Sequence, residues 1–155
     1  AWMQLGLVRE RQGDKTGAAD AYSRAIKAEP KMVQAHMRLL ILAVEREDWA
    51  SVSDISARVI AIRPRRFGMA YLYNAQANIL LGRPQPASES LRIARELDPS
   101  RRVGRLELLE GALMEQNGDN IAAVAAYRRY LAYGPLGDEG DQLRRRIERL
   151  EEATK

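Results

Sequence analysis

Apolar residues recur along this chain in short helical stripes that turn residues cut at regular intervals. Trp2, Leu5 and Gly6 open one such pattern, Gly13-Asp14 interrupts it, and Ala18, Tyr22, Ala25 and Pro30 follow at helical spacing. That predicts a helix, a tight turn and a second helix. The closing prolines then return at Pro30, Pro64, Pro99 and Pro135, with separations of 34, 35 and 36 residues. A period of that size is the mark of stacked helical repeats.

Four units follow, at 1–32, 33–66, 67–101 and 102–137, with a further helix in 138–155. First helices are predicted from the chain start to about Gln12, from Val33 to Arg46, from Phe67 to Leu81 and from Val103 to Asn117. Second helices are predicted from Lys15 to Glu29, Trp49 to Ile62, the Gly82-Arg83-Pro84 turn to Leu97, and Asn120 to Tyr133. Asp14 and Asp48 stand where an N-cap is wanted, and Pro84 is tolerated in a first turn. A glycine-rich linker, Gly134 to Gly140, is expected to lead into a last helix from about Asp141 to Ala153. Its Leu143, Ile147 and Leu150 form one apolar stripe among arginines and glutamates, the pattern of a terminal cap.

Second helices share one register, since Ala18, Val52, Ala87 and Ala123, and then Tyr22, Ser56, Leu91 and Tyr127, keep the 34, 35 and 36 spacing. The extra residues of units three and four therefore fall between Pro64 and Gly82 and between Pro99 and Gly118. They belong to the turn or to the first helix. Packing explains the repetition: each helix pair has an apolar stripe wider than its partner covers, and the next unit covers the rest.

Trp2, Leu5, Gly6, Ala18, Tyr22, Ala25 and Pro30 together resemble the tetratricopeptide repeat, and Gly111, Ala123, Tyr127 and Pro135 repeat the match in the fourth unit. Arg9 departs from it where the family usually has tyrosine. Ser56 replaces an aromatic residue, and Asn74 and Asn78 occupy a helix that is usually more apolar. The resemblance implies an all-α, right-handed α-solenoid of four helix-turn-helix repeats plus a C-terminal capping helix. It also implies a non-catalytic scaffold whose first helices line a concave groove for protein or peptide partners.

Composition narrows the chemistry without naming the partner. Apolar content of 46% with 30% charged residues is ordinary for a globular chain. The longest apolar run, Leu39 to Val44, is far too short to cross a membrane, so a soluble chain with no membrane span is expected. There is no cysteine and one histidine, which removes thiol chemistry and leaves neither a metal site nor a cofactor site to propose. No phosphate-cradling glycine loop or nucleophile elbow occurs. Enzymatic activity is not expected. The chain begins with Ala1 inside a helical pattern, from which a fragment of a longer protein is expected. No targeting signal is readable, and the compartment is undetermined.

Groove positions can be assigned from the helical faces. Met3, Leu7, Gln34, Met37, Arg38 and Ile41 make a thioether and aliphatic surface with a polar edge, suited to an apolar or amphipathic segment. The alternative is that these residues pack internally or on upstream chain. The subset of these repeats that grips a C-terminal carboxylate uses lysine and asparagine on the first helices, and Met3 and Leu7 stand where that pattern would begin, so a carboxylate clamp is not expected. Asn74 and Asn78, with Tyr73 and Gln76, offer amides to an extended backbone or satisfy local groups, and Arg105 joins from the fourth unit. Arg63, Arg65, Arg66, Arg101 and Arg102 gather at inter-unit turns as a basic edge. Nucleic acid is the lesser partner for that edge, because no aromatic residues interleave with it. Self-association or docking within a larger protein is the second reading of the whole array. His36, at the packing place of Trp2, is expected in the core.

Overall fold

The computed structural model describes residues 1–98, 104–134 and 137–155. Among them are nine helices: α1 (Trp2–Arg11), α2 (Lys15–Ala28), α3 (Val33–Glu45), α4 (Trp49–Ile62), α5 (Gly68–Leu80), α6 (Pro84–Leu97), α7 (Arg105–Gln116), α8 (Asn120–Leu131) and α9 (Asp138–Glu152). Odd-numbered helices α1 to α7 open the four units and the even-numbered ones close them. Each helix packs on its neighbours in sequence, so the architecture is an α-solenoid. Across units α5 also touches α7, and among the described residues no two second helices pack to a similar extent. The first helices follow one another along one side of the array, its expected inner face.

Second helices start where aspartate caps them. The Asp14, Asp48 and Asp119 carboxylates accept the backbone N–H of Gly17 (2.8 Å), Ser51 (3.1 Å) and Ala122 (3.0 Å). Unit three has Arg83 instead and needs no cap of this kind. Pro84 and Pro86 are the first and third residues of α6 and carry no N–H, so two of the unpaired first-turn donors are absent, including the one that the aspartates serve in the other units.

Each turn before a second helix uses a left-handed residue: Gly13 (φ 79°), Glu47 (φ 55°), Gly82 (φ 67°) and Gly118 (φ 82°). Only unit two puts a side chain there, against the steric preference of L-residues. Glu47→Gly is therefore expected to raise unfolding stability by about 0.5–1 kcal/mol, read as a shifted urea midpoint with unchanged slope.

The first-helix register left open by the spacing is resolved. Residues 29–32 separate α2 from α3, whereas 63–67 separate α4 from α5, so the extra residue of unit three lies in the turn. Arg65 sits in that turn at φ 59°, and its backbone N–H donates to the Tyr71 hydroxyl (3.1 Å). Gly6, Leu40, Ala75 and Gly111 are then equivalent, and all are buried. Pro99, Val103 and Pro135 lie outside the described residues. One expected boundary needs correction: α9 begins at Asp138, not Asp141. Gly137 (φ 71°) turns the chain, and Asp138, Glu139 and Asp141 then complement the positive end of the helix in its first turn. Gly140, expected in a linker, is a buried helical residue.

Units one and four share one core solution. Tyr22 and Tyr127 are fully buried against Gly6 and Gly111, and a methyl group added at Gly111 would stand 2.5 Å from the Tyr127 ring. Each phenol donates to a glutamate twelve residues earlier, Tyr22 to Glu10 (2.5 Å) and Tyr127 to Glu115 (2.8 Å). Burial, then the glutamate, raises both phenol pKa values, that of Tyr22 to about 12.

Units two and three solve the same space with polar groups. Ser56 stands at the Tyr22 position, and its hydroxyl accepts from the Asn74 amide (3.0 Å). The Asn74 amide also donates to the Ser53 carbonyl (3.2 Å), while its oxygen accepts from Ser90 (2.8 Å) and Asn78 (3.0 Å). These groups satisfy one another inside the array. Position 107, equivalent to Trp2, carries a third variant. Glu107 is 1% exposed and is held by Arg129 (2.8 Å) and Arg95 (3.6 Å).

Candidate functional site

The inner face is lined from α1 to α9 by side chains that the core uses only in part. At its α1 end, Met3 and Leu7 rest one flank on the Ala18, Tyr22 and Leu42 cluster, and Met37 rests on the cluster around Leu40 and Val52. Ile41 is half-buried beside them. This stretch is apolar, and its one cation is paired: Arg38 bonds Glu10 (3.3 Å), the carboxylate that also holds Tyr22. Methionine and aliphatic side chains in such a setting can adapt to a partner's apolar residues.

Midway, three of the expected residues come together. The Arg105 guanidinium lies over the Tyr73 ring, 5.3 Å from its centroid, and donates to the Gln76 side-chain oxygen. Stacking and the hydrogen bond hold the guanidinium in place across α5 and α7. Leu80, one turn on from Gln76, is 56% exposed. Asn74 has to be removed from this group. It is 7% exposed, and its amide is consumed by Ser53, Ser56, Ser90 and Asn78, so it meets no ligand. Asn78 is buried in the same network, its amide donating to the Asn74 carbonyl (2.8 Å).

At the α9 end lies a recess of about 380 Å³ that sequence reasoning missed. Tyr130, Glu139, Gln142, Arg145, Arg146 and Arg149 line it together with two leucines. Tyr130 donates to Glu139 (2.9 Å), and Arg146 bonds Glu115 (2.7 Å) above the Tyr127 ring. Burial, then Glu139, raises the Tyr130 pKa, and the positive charge of Arg105 acts against that rise. The available signal was the spacing of Gln142, Arg145 and Arg149, which places them on one side of a helix. It was masked by the abundance of charge along that helix.

Gln34 is exposed and shares a recess of about 400 Å³ with Lys31, Arg63, Arg66 and Phe67. Arg63 and Arg66 both line this recess. Arg65 is tied to Glu96 (2.7 Å). Arg101 and Arg102 lie outside the described residues. His36 is buried, with its Nε2 bonded to the Pro30 carbonyl (2.9 Å). Among the described residues no group of three or more histidine, aspartate or glutamate side chains is placed to hold a metal ion, and no helix is long and apolar enough to cross a membrane.

No family model and no curated protein sequence matches the chain. Solved structures do. A crystal structure of MamA protein superposes with a TM-score of 0.77 at 20% identity, covering 97% of this chain and 86% of that one. A tetratricopeptide repeat protein from Parabacteroides merdae superposes at 0.81 with 16% identity, over 97% of this chain and 57% of that one. YrrB, a TPR protein with an unusual peptide-binding site, superposes at 0.71 with 14% identity, over 86% and 68% respectively. The fold is that of a tetratricopeptide-repeat array.

Proposed function

We propose that this array is a non-catalytic protein-interaction module that receives a segment of a partner polypeptide along its inner face. The observation that carries the reading is the continuous strip of half-buried and exposed side chains on the first helices. Leu7, Met37, Ile41, Tyr73, Gln76 and Leu80 all retain surface that the core does not cover. A partner segment laid along that strip would cover apolar area without any rearrangement of the helices. YrrB, described as having a peptide-binding site, shares the fold and lends analogy at the level of architecture alone.

The test is capture of a partner by the intact array and by the double variant Met37→Glu, Ile41→Glu. Both residues are on the inner face of α3, and neither is fully buried. Two carboxylates there are expected to weaken capture by about a hundredfold or more while far-ultraviolet circular dichroism stays unchanged. Unchanged capture by a folded double variant would reject this placement. Self-association, the second reading, predicts instead a concentration-dependent elution volume for the unmodified chain.

A further inference from the structure

The inner face is not uniform along its length, and the difference lies in which charges are already neutralised. At the α1 and α3 end Arg38 is paired with Glu10, and the half-buried side chains beside it are Leu7, Met37 and Ile41. Toward α9 the balance reverses. Among the described residues no carboxylate pairs with Arg145 or Arg149, and the neutral amide oxygen of Gln76 is what Arg105 bonds. Glu139 is the one acidic residue lining the recess, and it already accepts the Tyr130 hydroxyl. Arg146 is neutralised by Glu115. Arg145 and Arg149 are thus the cations of the recess without a carboxylate partner, offset in part by the Glu139 charge, and Arg105, outside the recess lining, is held in place by stacking on Tyr73.

We infer that the α7–α9 end of the inner face binds a short acidic stretch of a partner polypeptide, with that partner's apolar residues lying on Leu7, Met37 and Ile41. This rests on the inner face being the docking surface. Guanidinium groups suit the task because they meet carboxylates through paired, charge-assisted hydrogen bonds. Arg145 and Arg149, one helical turn apart, are spaced to meet two acidic side chains on the same side of an extended strand. A phosphate polymer fits less well. Its charge continues at every residue, whereas the free cations here stop at Arg105 and the path beyond is neutral or apolar.

Spacing adds a second constraint on the partner. Three helix steps separate α3 from α9, and at about 10 Å per step they span about 30 Å. Extended chain covers that with about nine residues between the apolar anchor and the acidic one.

The probe is a fluorescent peptide of about sixteen residues with leucines near one end and Glu-Asp-Glu near the other, synthesised in both sequence directions. One control replaces the acidic residues by glutamine and asparagine, and another replaces the leucines by serine. Binding to the unmodified chain, to Arg145→Gln with Arg149→Gln, and to Met37→Glu with Ile41→Glu is followed by anisotropy at low and high salt. The expected result is that one direction of the probe binds and that the amide control binds about tenfold more weakly at low salt. The arginine variant should remove that tenfold preference, as should about 0.5 M salt. Equal binding of the acidic and amide peptides overturns the acidic assignment while leaving the inner face as the docking surface. Loss of binding in the arginine variant with none in the Met37/Ile41 variant overturns the inner-face path instead. Failure of both directions to bind overturns the inference, as does tighter arginine-dependent binding of oligothymidylate or of phosphatidylserine vesicles. Both arginines are exposed, so helicity of the variants is expected to be unchanged.

Discussion

Tyr127→Ala is expected to lower the free energy of unfolding by about 3–5 kcal/mol, more than any surface change in this chain. The ring is fully buried, packs within the cluster that joins Ala123 and Val124 to Leu143 and Ile147, and fills the notch left by Gly111. Its removal leaves a cavity between unit four and the cap helix. It also removes the phenol hydrogen bond to Glu115 (2.8 Å between oxygens), leaving that carboxylate with Arg146. Since α9 docks mainly on α8, the variant should fray from the C-terminus first. Urea denaturation would measure the loss, and hydrogen exchange would show α9 amides losing protection before those of α3 and α4. A loss below about 1 kcal/mol would mean that the ring is not the keystone of this junction.

Asn74→Leu is the second large effect, and its sign is opposite to what repeat consensus suggests. Leucine is the usual residue at the equivalent first-helix position, as Leu5 illustrates in unit one. Here the substitution removes the acceptor for Ser90 and Asn78 and the donor to Ser56 and Ser53, all of them buried or half-buried. Stranded hydroxyl and amide groups make the expected cost about 2–4 kcal/mol. Adding Ser56→Ala and Ser90→Ala should recover much of it, because buried groups removed together leave no orphan. Thermal or urea unfolding of the single and triple variants decides the matter. Additive losses in the triple variant would show that the groups act independently.

The architecture was legible because it depends on positions that repeat. Ala18, Val52, Ala87 and Ala123 are all fully buried, and the helix boundaries follow from aspartates, glycines and prolines whose effects are local. What the spacing left open was the first-helix register, which in unit three hangs on one turn residue, Arg65, whose left-handed backbone no composition rule announces. Ser56, Asn74 and Asn78 stood out in the sequence as three separate departures. Packing turns them into a single compensation, since the missing aromatic ring at position 56 is replaced by hydrogen-bonded groups from the next unit.

The inner face was harder to read. Met37, Ile41, Tyr73, Gln76 and Arg105 could be placed by helical periodicity, and the Tyr73–Gln76–Arg105 contact joins residues from two units. Asn74 was misassigned because one step along a helix separates a residue that faces outward from one that faces the preceding unit. The α9 recess was overlooked for a different reason. Whether an arginine is free depends on which carboxylates reach it, and Arg146 and Arg149 differ in that respect only once Glu115 is positioned across the helix interface.

The buried amide cluster also bears on how units can be exchanged. Repeat arrays often tolerate insertion, deletion or reshuffling because each junction resembles the next. Here the Ser56 end belongs to unit two and the Asn74 and Ser90 ends to unit three, so the two halves match only each other. Placing unit three directly after unit one would set its amides against the Tyr22 ring, which supplies no equivalent of the Ser56 hydroxyl. The order of units is thereby encoded in hydrogen-bonding polarity at one seam, and a copy of this chain that exchanged repeats with another would have to rejoin at that same seam.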